Sequence, residues 1–469
     1  MFSFTGFRDG HCHPLFAARE SDGPVLAAGL TAHQIVETLR NWLAQNPDCR
    51  WLDCGSYSPE IETPGLSAKL LDEVSRVIPI VVHRVDHHAI WVNSAALRVA
   101  DLEDSAPVLR NASFDLDPSG KPTGVVREWD AMSLIYEHQP KPSLESDMEA
   151  LRRAQNRLLA NGIVAVQDAW IDPGMETVYL QAAATEKLNL RFNLATRIDP
   201  GSWAACLRFA RGLRSDTRSI GNELLTANTV KVFLDGVFGS QTAWVSEHSC
   251  PNPRANGIWD EPELLKMALE ADSAGFQLHF HCVGDEAFSQ ALRVAEHLEI
   301  WNGPVDRRVV IAHADIAKPG DLLMAKQMGV IVCAQPAWAA DVESISEAAR
   351  VLNQPKVATL YPLRSILDAG VRLSFGSDWP VSPPDPLMAI AGASHLHHNP
   401  DSALSRQEAM TAHSTAVAEQ LGHEQLIGAD EVILSENPTT CDLDKLQDIR
   451  VLKVTVAGRP VWDADHLSD

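Results

Sequence analysis

Cysteine is sparse and badly spaced for its usual structural uses. Eight cysteines, at 12, 49, 54, 206, 250, 282, 333 and 441, are scattered over 469 residues. No CxxC pair occurs, which excludes ribbon-type zinc sites. A chain of this size needs no disulfide framework, so the thiols are read as reduced and the protein as cytoplasmic. No apolar run approaches the roughly 20 residues of a membrane span. The opening MFSFTGFRDGHCHP lacks the basic and apolar regions of a secretory leader. Positive charge is short as well: 39 Lys+Arg face 62 Asp+Glu, a net charge of −23. With no Lys/Arg-rich run, this excludes a phosphate-backbone binder and disfavours an anionic membrane surface. Neither GxGxxG nor GxxxxGK[ST] occurs, which argues against a nucleotide-binding doubly wound sheet.

What is present is an ordinary soluble composition, 45% hydrophobic and 22% charged, in a chain long enough for a large core. From about residue 150, short apolar runs alternate with amphipathic helical stretches. The runs are GIVAVQDAW (162–170), LRFNLATRID (190–199), TVKVFLDG (229–236), FQLHFHCVGD (276–285), RRVVIAHADI (307–316), GVIVCAQPAW (329–338) and GVRLSFGSDWP (370–380). Continuous apolar strands between helices describe a parallel sheet covered on both faces. An eighth strand ending at His11-Cys12-His13 completes a TIM-type (β/α)8 barrel, an α/β fold. Residues 14–148 are too many for one β/α unit and read as a cap inserted after the first strand. From Gly428 the chain turns to short strands, VILSENP and IRVLKVTVAGRPVW, the expected start of a small β domain over 428–469. Residues 1–427 are then the barrel together with its cap.

In such a barrel, reactive groups gather at the C-terminal strand ends. There the first strand carries His11 and His13, the fourth Lys231 and Asp235, the fifth His281, the sixth His313 and the eighth Asp378. His11 and His13, two apart on a strand, face the same side. Imidazole and carboxylate converging on a barrel mouth suit Zn²⁺ and its neighbours. A water on such an ion ionises near neutral pH, which is the chemistry of carbonyl hydrolysis.

The stretches GFRDGHCHP (6–14), HHAIWVNSAAL (87–97), PTGVVREW (122–129), VKVFLDGVFGSQTA (230–243), HFHCVGDEA (279–287), IAHAD (311–315), AQP (334–336) and FGSDWPVSPPDP (375–386) together resemble the amidohydrolase superfamily. The likeness is to its amidohydrolase-3 or YtcJ-like branch, which includes N-substituted formamide deformylases. The resemblance implies two divalent ions, expected to be Zn²⁺. His11, His13 and Asp378 would hold one and His281 and His313 the other, with a carboxylated Lys231 bridging them. It also implies a hydroxide between the metals as nucleophile and Asp378 as the group that moves the proton. The family usually has glycine where this chain has His87, and tens of residues of strand before the first barrel motif, where here Met1 falls almost directly on it. The tail strands are therefore expected to pack on the barrel or to pair with a second chain as a homodimer.

Other residues keep two readings. His279, two before His281, either supports a ligand from behind or is a packed core histidine. His88, Trp91 and Asn93 match the family's cap segment and are candidates to reach substrate. Asp235 orients substrate or braces the site. Trp338 and Trp379 form an apolar wall or pack beneath loops. The reading is a metal-dependent hydrolase of a C–N amide bond in a small organic substrate. The alternatives are a lactone or cyclic-amide hydrolase, or an inactive metal-binding homologue.

Overall fold

The computed structural model describes residues 1–62, 65–247 and 256–466. Eight parallel strands form one sheet in the order Arg372–Phe375, Ile331–Ala334, Val310–His313, Gln277–Cys282, Leu225–Phe233, Arg191–Ile198, Ile163–Ile171 and Phe7–Cys12. Seven of them overlap the apolar runs of the sequence, and the eighth, Phe7–Cys12, is the strand expected to end at His11-Cys12-His13. Helices cover the outside. The Leu144–Ala160 helix starts at Ser143, whose hydroxyl accepts the Ser146 N–H, and buries Leu151, Ala154, Leu158 and Leu159. It stops at Asn161, and Gly162 at φ +71° turns the chain into the next strand.

The first and last strands approach too closely for side chains. A Cβ on Gly376 would lie 2.6 Å from the His11 backbone nitrogen, and one on Gly10 would lie 3.0 Å from the Phe375 carbonyl oxygen. Glycine at both positions lets the barrel close. The closure is finished by Ser377 N–H on Asp9 Oδ1 (3.0 Å) and Asp378 N–H on the His11 carbonyl (2.7 Å).

Between the first two barrel strands the chain builds a five-stranded mixed sheet, in the order Leu52–Tyr57, Ile80–Arg84, Ala89–Val92, Pro122–Arg127 and Ser113–Leu116. One face packs Val81, Ile90, Val92 and Val126 against Met132 and Ile135. The other packs Ile80, Val82, Trp91 and Val125 against Ile35 and Leu39. The turn joining Ile80–Arg84 to Ala89–Val92 brings His87 and His88 to the cavity that holds the strand-end histidines.

The tail does not lack partners within the chain. Phe2–Phe4, which the sequence reading did not assign, pairs antiparallel with Glu431–Leu434, followed in the sheet by Val451–Val456 and Arg459–Asp463. Val432, Leu434, Val454 and Val456 are buried as part of the main core. Asp430, fully buried, accepts from Arg8 (2.8 Å) on the first barrel strand and lies 3.3 Å from Arg191 on the third. No helix among the described residues is long and apolar enough to cross a membrane. The cysteines described are free thiols; Cys250 lies outside the described residues.

Candidate metal centre and active site

Four imidazoles, an amine and a carboxylate meet at the barrel mouth. His11 and His13 project from the first strand with ring centroids 5.3 Å apart. His281 and His313, from the fifth and sixth, are 4.3 Å apart, and His11 and His313 4.9 Å. Asp378 sits three residues beyond the last strand at φ +56°, a strained conformation held by its bond to the His11 carbonyl. Its Oδ1 lies 2.8 Å from His13 Nε2 and 3.2 Å from His11 Nε2. Lys231 Nζ is 3.3 Å from His11 Nε2 and 4.8 Å above the Phe233 ring, fully buried.

Burial sets the charge states. Together with the neighbouring Lys231 charge it pulls His11 down to about 3, and it drives His281 and His313 well below the usual imidazole range. Burial also draws Lys231 down to about 7. Asp378 moves the other way from what burial alone would give: His11 and His13 hold its carboxyl well below the usual range.

The donor set fits a divalent cation. One ligand atom each from His11, His313 and Asp378 falls within 4.8 Å of the others. The His313 Nδ1 lies 2.8 Å from the Gln335 amide oxygen, while Gln335 Nε2 donates to the Cys333 carbonyl. The Nδ1 proton is therefore engaged, and the His313 Nε2, buried and without a hydrogen-bond partner among the described residues, presents a bare lone pair. His279 plays the corresponding part for His11, its Nε2 2.8 Å from His11 Nδ1. An orphaned imidazole lone pair beside a carboxylate and two more neutral imidazoles is the arrangement a hard-to-borderline ion satisfies.

The centre opens into a cavity of about 650 Å³ whose lining includes His11, His13, Lys231, His281, His313 and Asp378. Aromatic rings form one side: Trp129 and Trp170 have centroids 4.5 Å apart, and Trp170 and Phe233 5.1 Å. The cap contributes His88, its ring 5.6 Å from that of His281. It also contributes a polar wall: His87 lies 2.7 Å from Glu20, and His83 2.9 Å from Asp53. The rings of His83 and His87 are 4.9 Å apart. Of these residues only His87 stood out in the sequence, as a departure from the family's glycine; Glu20, Asp53 and His83 did not, because polar groups in a cap carry no periodicity.

The remaining candidates divide. Trp338 stacks on His313 at 5.1 Å and 6° and lines an adjoining pocket, so it shields that imidazole from one side. Asp235 is fully buried behind the site, 3.9 Å from His281, and accepts backbone N–H groups from Trp244, Val283 and Gly284. Burial raises it to about 7, and its place is that of a brace. Asn93 is a correction. Its oxygen caps the Ser94–Val99 helix and accepts the Ile80 N–H, and its amide donates to the Ser75 and Ile78 carbonyls. Every hydrogen-bonding position is used inside the cap, so it has none left for substrate. Trp91 likewise is buried in the cap core, its indole N–H on the Ser67 carbonyl. Trp379 touches the site through its backbone, accepting the His13 N–H at 2.8 Å, while its ring packs on the main core.

The amidohydrolase family profile matches residues 4–462. The chain belongs to the amidohydrolase family. This amidohydrolase is 25% identical to the YtcJ amidohydrolase of Bacillus subtilis, over 98% of this chain and 89% of that one. It is 26% identical to the N-substituted formamide deformylase of Arthrobacter pascens, over 97% and 87%. A metal-dependent hydrolase from Pyrococcus horikoshii shares the fold, with a TM-score of 0.72 at 19% identity, covering 94% of this chain and 87% of that one.

Proposed function

We propose that this amidohydrolase uses two divalent ions, Zn²⁺ foremost, to cleave a C–N amide bond in a small organic molecule, with N-substituted formamides as the first class to test. The observation that carries the reading is the convergence of His11, His13, Lys231, His281, His313 and Asp378 in the lining of one cavity. His11, His13 and Asp378 would hold one ion and His281 and His313 the other. Lys231 would join them as a carbamate, formed when its neutral amine attacks CO₂ and releases a proton; its burial beside imidazoles, with no carboxylate salt bridge among the described residues, favours the uncharged amine. Ions bound there supply a water that ionises near neutral pH and a Lewis acid for the carbonyl.

The chain's own residues do the rest. Asp378, ionised and within reach of the His13 and His11 rings, takes the proton of the attacking water and returns it to the leaving nitrogen. His88 contacts the amide group. Trp129, Trp170 and Phe233 exclude water and pack the apolar part of the substrate. The likeness to a formamide deformylase supports the substrate class. The free buried thiols of Cys12, Cys54, Cys282 and Cys333 support a cytoplasmic setting. The test is a panel of N-substituted formamides, other amides and lactones offered to metal-supplemented protein. Amide turnover that chelation abolishes is expected; turnover of lactones alone would overturn the C–N assignment.

A further inference from the structure

Glu128 has no part in the chemistry described so far, yet it is placed at a cost. It sits at φ +66°, ψ 156°, a backbone region that favours glycine, at the start of the Trp129–Tyr136 helix. Its carboxylate is buried. One oxygen, Oε2, lies 2.8 Å from His88 Nδ1, and the other accepts from the Thr242 hydroxyl. The Glu128 N–H returns to the His88 carbonyl at 2.8 Å, and Asp86 Oδ1 takes the His88 N–H at 3.0 Å. The His88 backbone and one ring nitrogen are thus fixed from two sides. A carboxylate only accepts, so the Nδ1 proton is committed to Glu128. That leaves Nε2, which has no partner among the described residues, as the ring atom available to the cavity it shares with His281.

We propose that Glu128 is a positioning residue: it fixes the Nδ1-protonated form and the orientation of His88, so that His88 Nε2 meets the amide group of the substrate beside His281. This rests on the amide-hydrolysis reading of the site. A carboxylate that orients an imidazole shows its effect when the imidazole is left in the wrong tautomer. Glutamine in place of Glu128 does that when its oxygen keeps the Thr242 hydroxyl, since its amide N–H then stands where Oε2 faced Nδ1, donor against donor.

The test has two arms. In the first, ¹⁵N-histidine NMR of the metal-loaded protein, with His88 assigned from H88Q, reads the ring directly. The expected result is a protonated Nδ1 in the native protein and in E128D, and loss of that fixed proton in E128Q. In the second, hydrolysis of 4-nitroformanilide is followed. E128Q is expected to lower kcat by roughly tenfold to a hundredfold with KM changed less than about twofold, and E128D to recover part of the loss. An unprotonated His88 Nδ1 in the native protein, or an E128Q enzyme with native kcat, would overturn the proposal. If the native protein leaves 4-nitroformanilide untouched, that counts against the amide-hydrolysis reading, while the nitrogen spectrum still decides the Glu128–His88 relationship. The spectrum of the native protein also decides it if E128Q does not fold.

Discussion

The backbone N–H of Asp378 donates to the carbonyl of His11 at 2.7 Å, and the Asp378 carboxylate turns back to lie 3.2 Å from the His11 ring. One residue pair therefore ties the barrel seam and supplies two of the six side chains of the candidate metal centre. Fold and chemistry are coupled there, and the coupling has consequences for substitutions near the seam.

Gly376→Ala places a methyl group 2.6 Å from the His11 backbone nitrogen, in a position where backbone must move. We expect a loss of about 1–3 kcal/mol of stability, typical of overpacking, together with reduced metal content, because the displaced strand carries His11 and His13. Urea unfolding and elemental analysis check both. A variant with native stability and full metal content would show that the seam is slack.

Asp378→Asn keeps the shape of the side chain and the bond to the His11 carbonyl but removes the proton acceptor. Turnover should fall by roughly 10²-fold or more, with the far-ultraviolet circular dichroism unchanged. Near-native turnover would remove Asp378 from the proton path.

Seven of the barrel strands were legible because each is a largely apolar run, the first strand from the His11-Cys12-His13 at its end, and the candidate ligands were picked out because strand ends in this fold collect at one mouth. The errors have physical causes. Asn93 stands before Ser94-Ala95-Ala96-Leu97, where an asparagine can serve as a helix cap as readily as a substrate contact, and its neighbours in sequence do not say which. Phe2–Phe4 is three residues long, too short for a periodic signal, and only its pairing with Glu431–Leu434 identifies it as a strand. Glu128 lies within PTGVVREW, but its positive φ and its bond to His88, forty residues earlier, are three-dimensional facts.

Asp430 is buried between Arg8 and Arg191, at the join of the barrel and the tail sheet. Asp430→Ala would strand two guanidinium groups without their shared carboxylate. The expected destabilisation is about 3–5 kcal/mol, the range for breaking a buried ion pair, read as a shift in the urea midpoint. A shift near zero would mean the two arginines find other acceptors.

The Glu20–His87 pair gives stability a pH signature. Burial tends to lower His87, but the Glu20 charge outweighs it and raises His87 above 6.5. Burial tends to raise Glu20, but His87 outweighs it and lowers Glu20 to about 2. The histidine contribution is complete below 6.5 and fades as pH rises through the raised value. The glutamate contribution is complete above 4.5 and fades as pH falls toward 2. The stability gap between the native protein and H87Q should therefore be largest between these limits, near pH 5–6, and shrink at pH 9. Thermal melts of both proteins across that range check it; a gap that grows with pH would contradict the pairing.

The six side chains proposed to form a binuclear metal centre come from five barrel strands. The decisive measurement is the metal-to-protein ratio of the native chain, by inductively coupled plasma mass spectrometry after expression with bicarbonate and added Zn²⁺. About two divalent ions per chain are expected. A ratio at or below one, unchanged by supplementation, would contradict a binuclear centre.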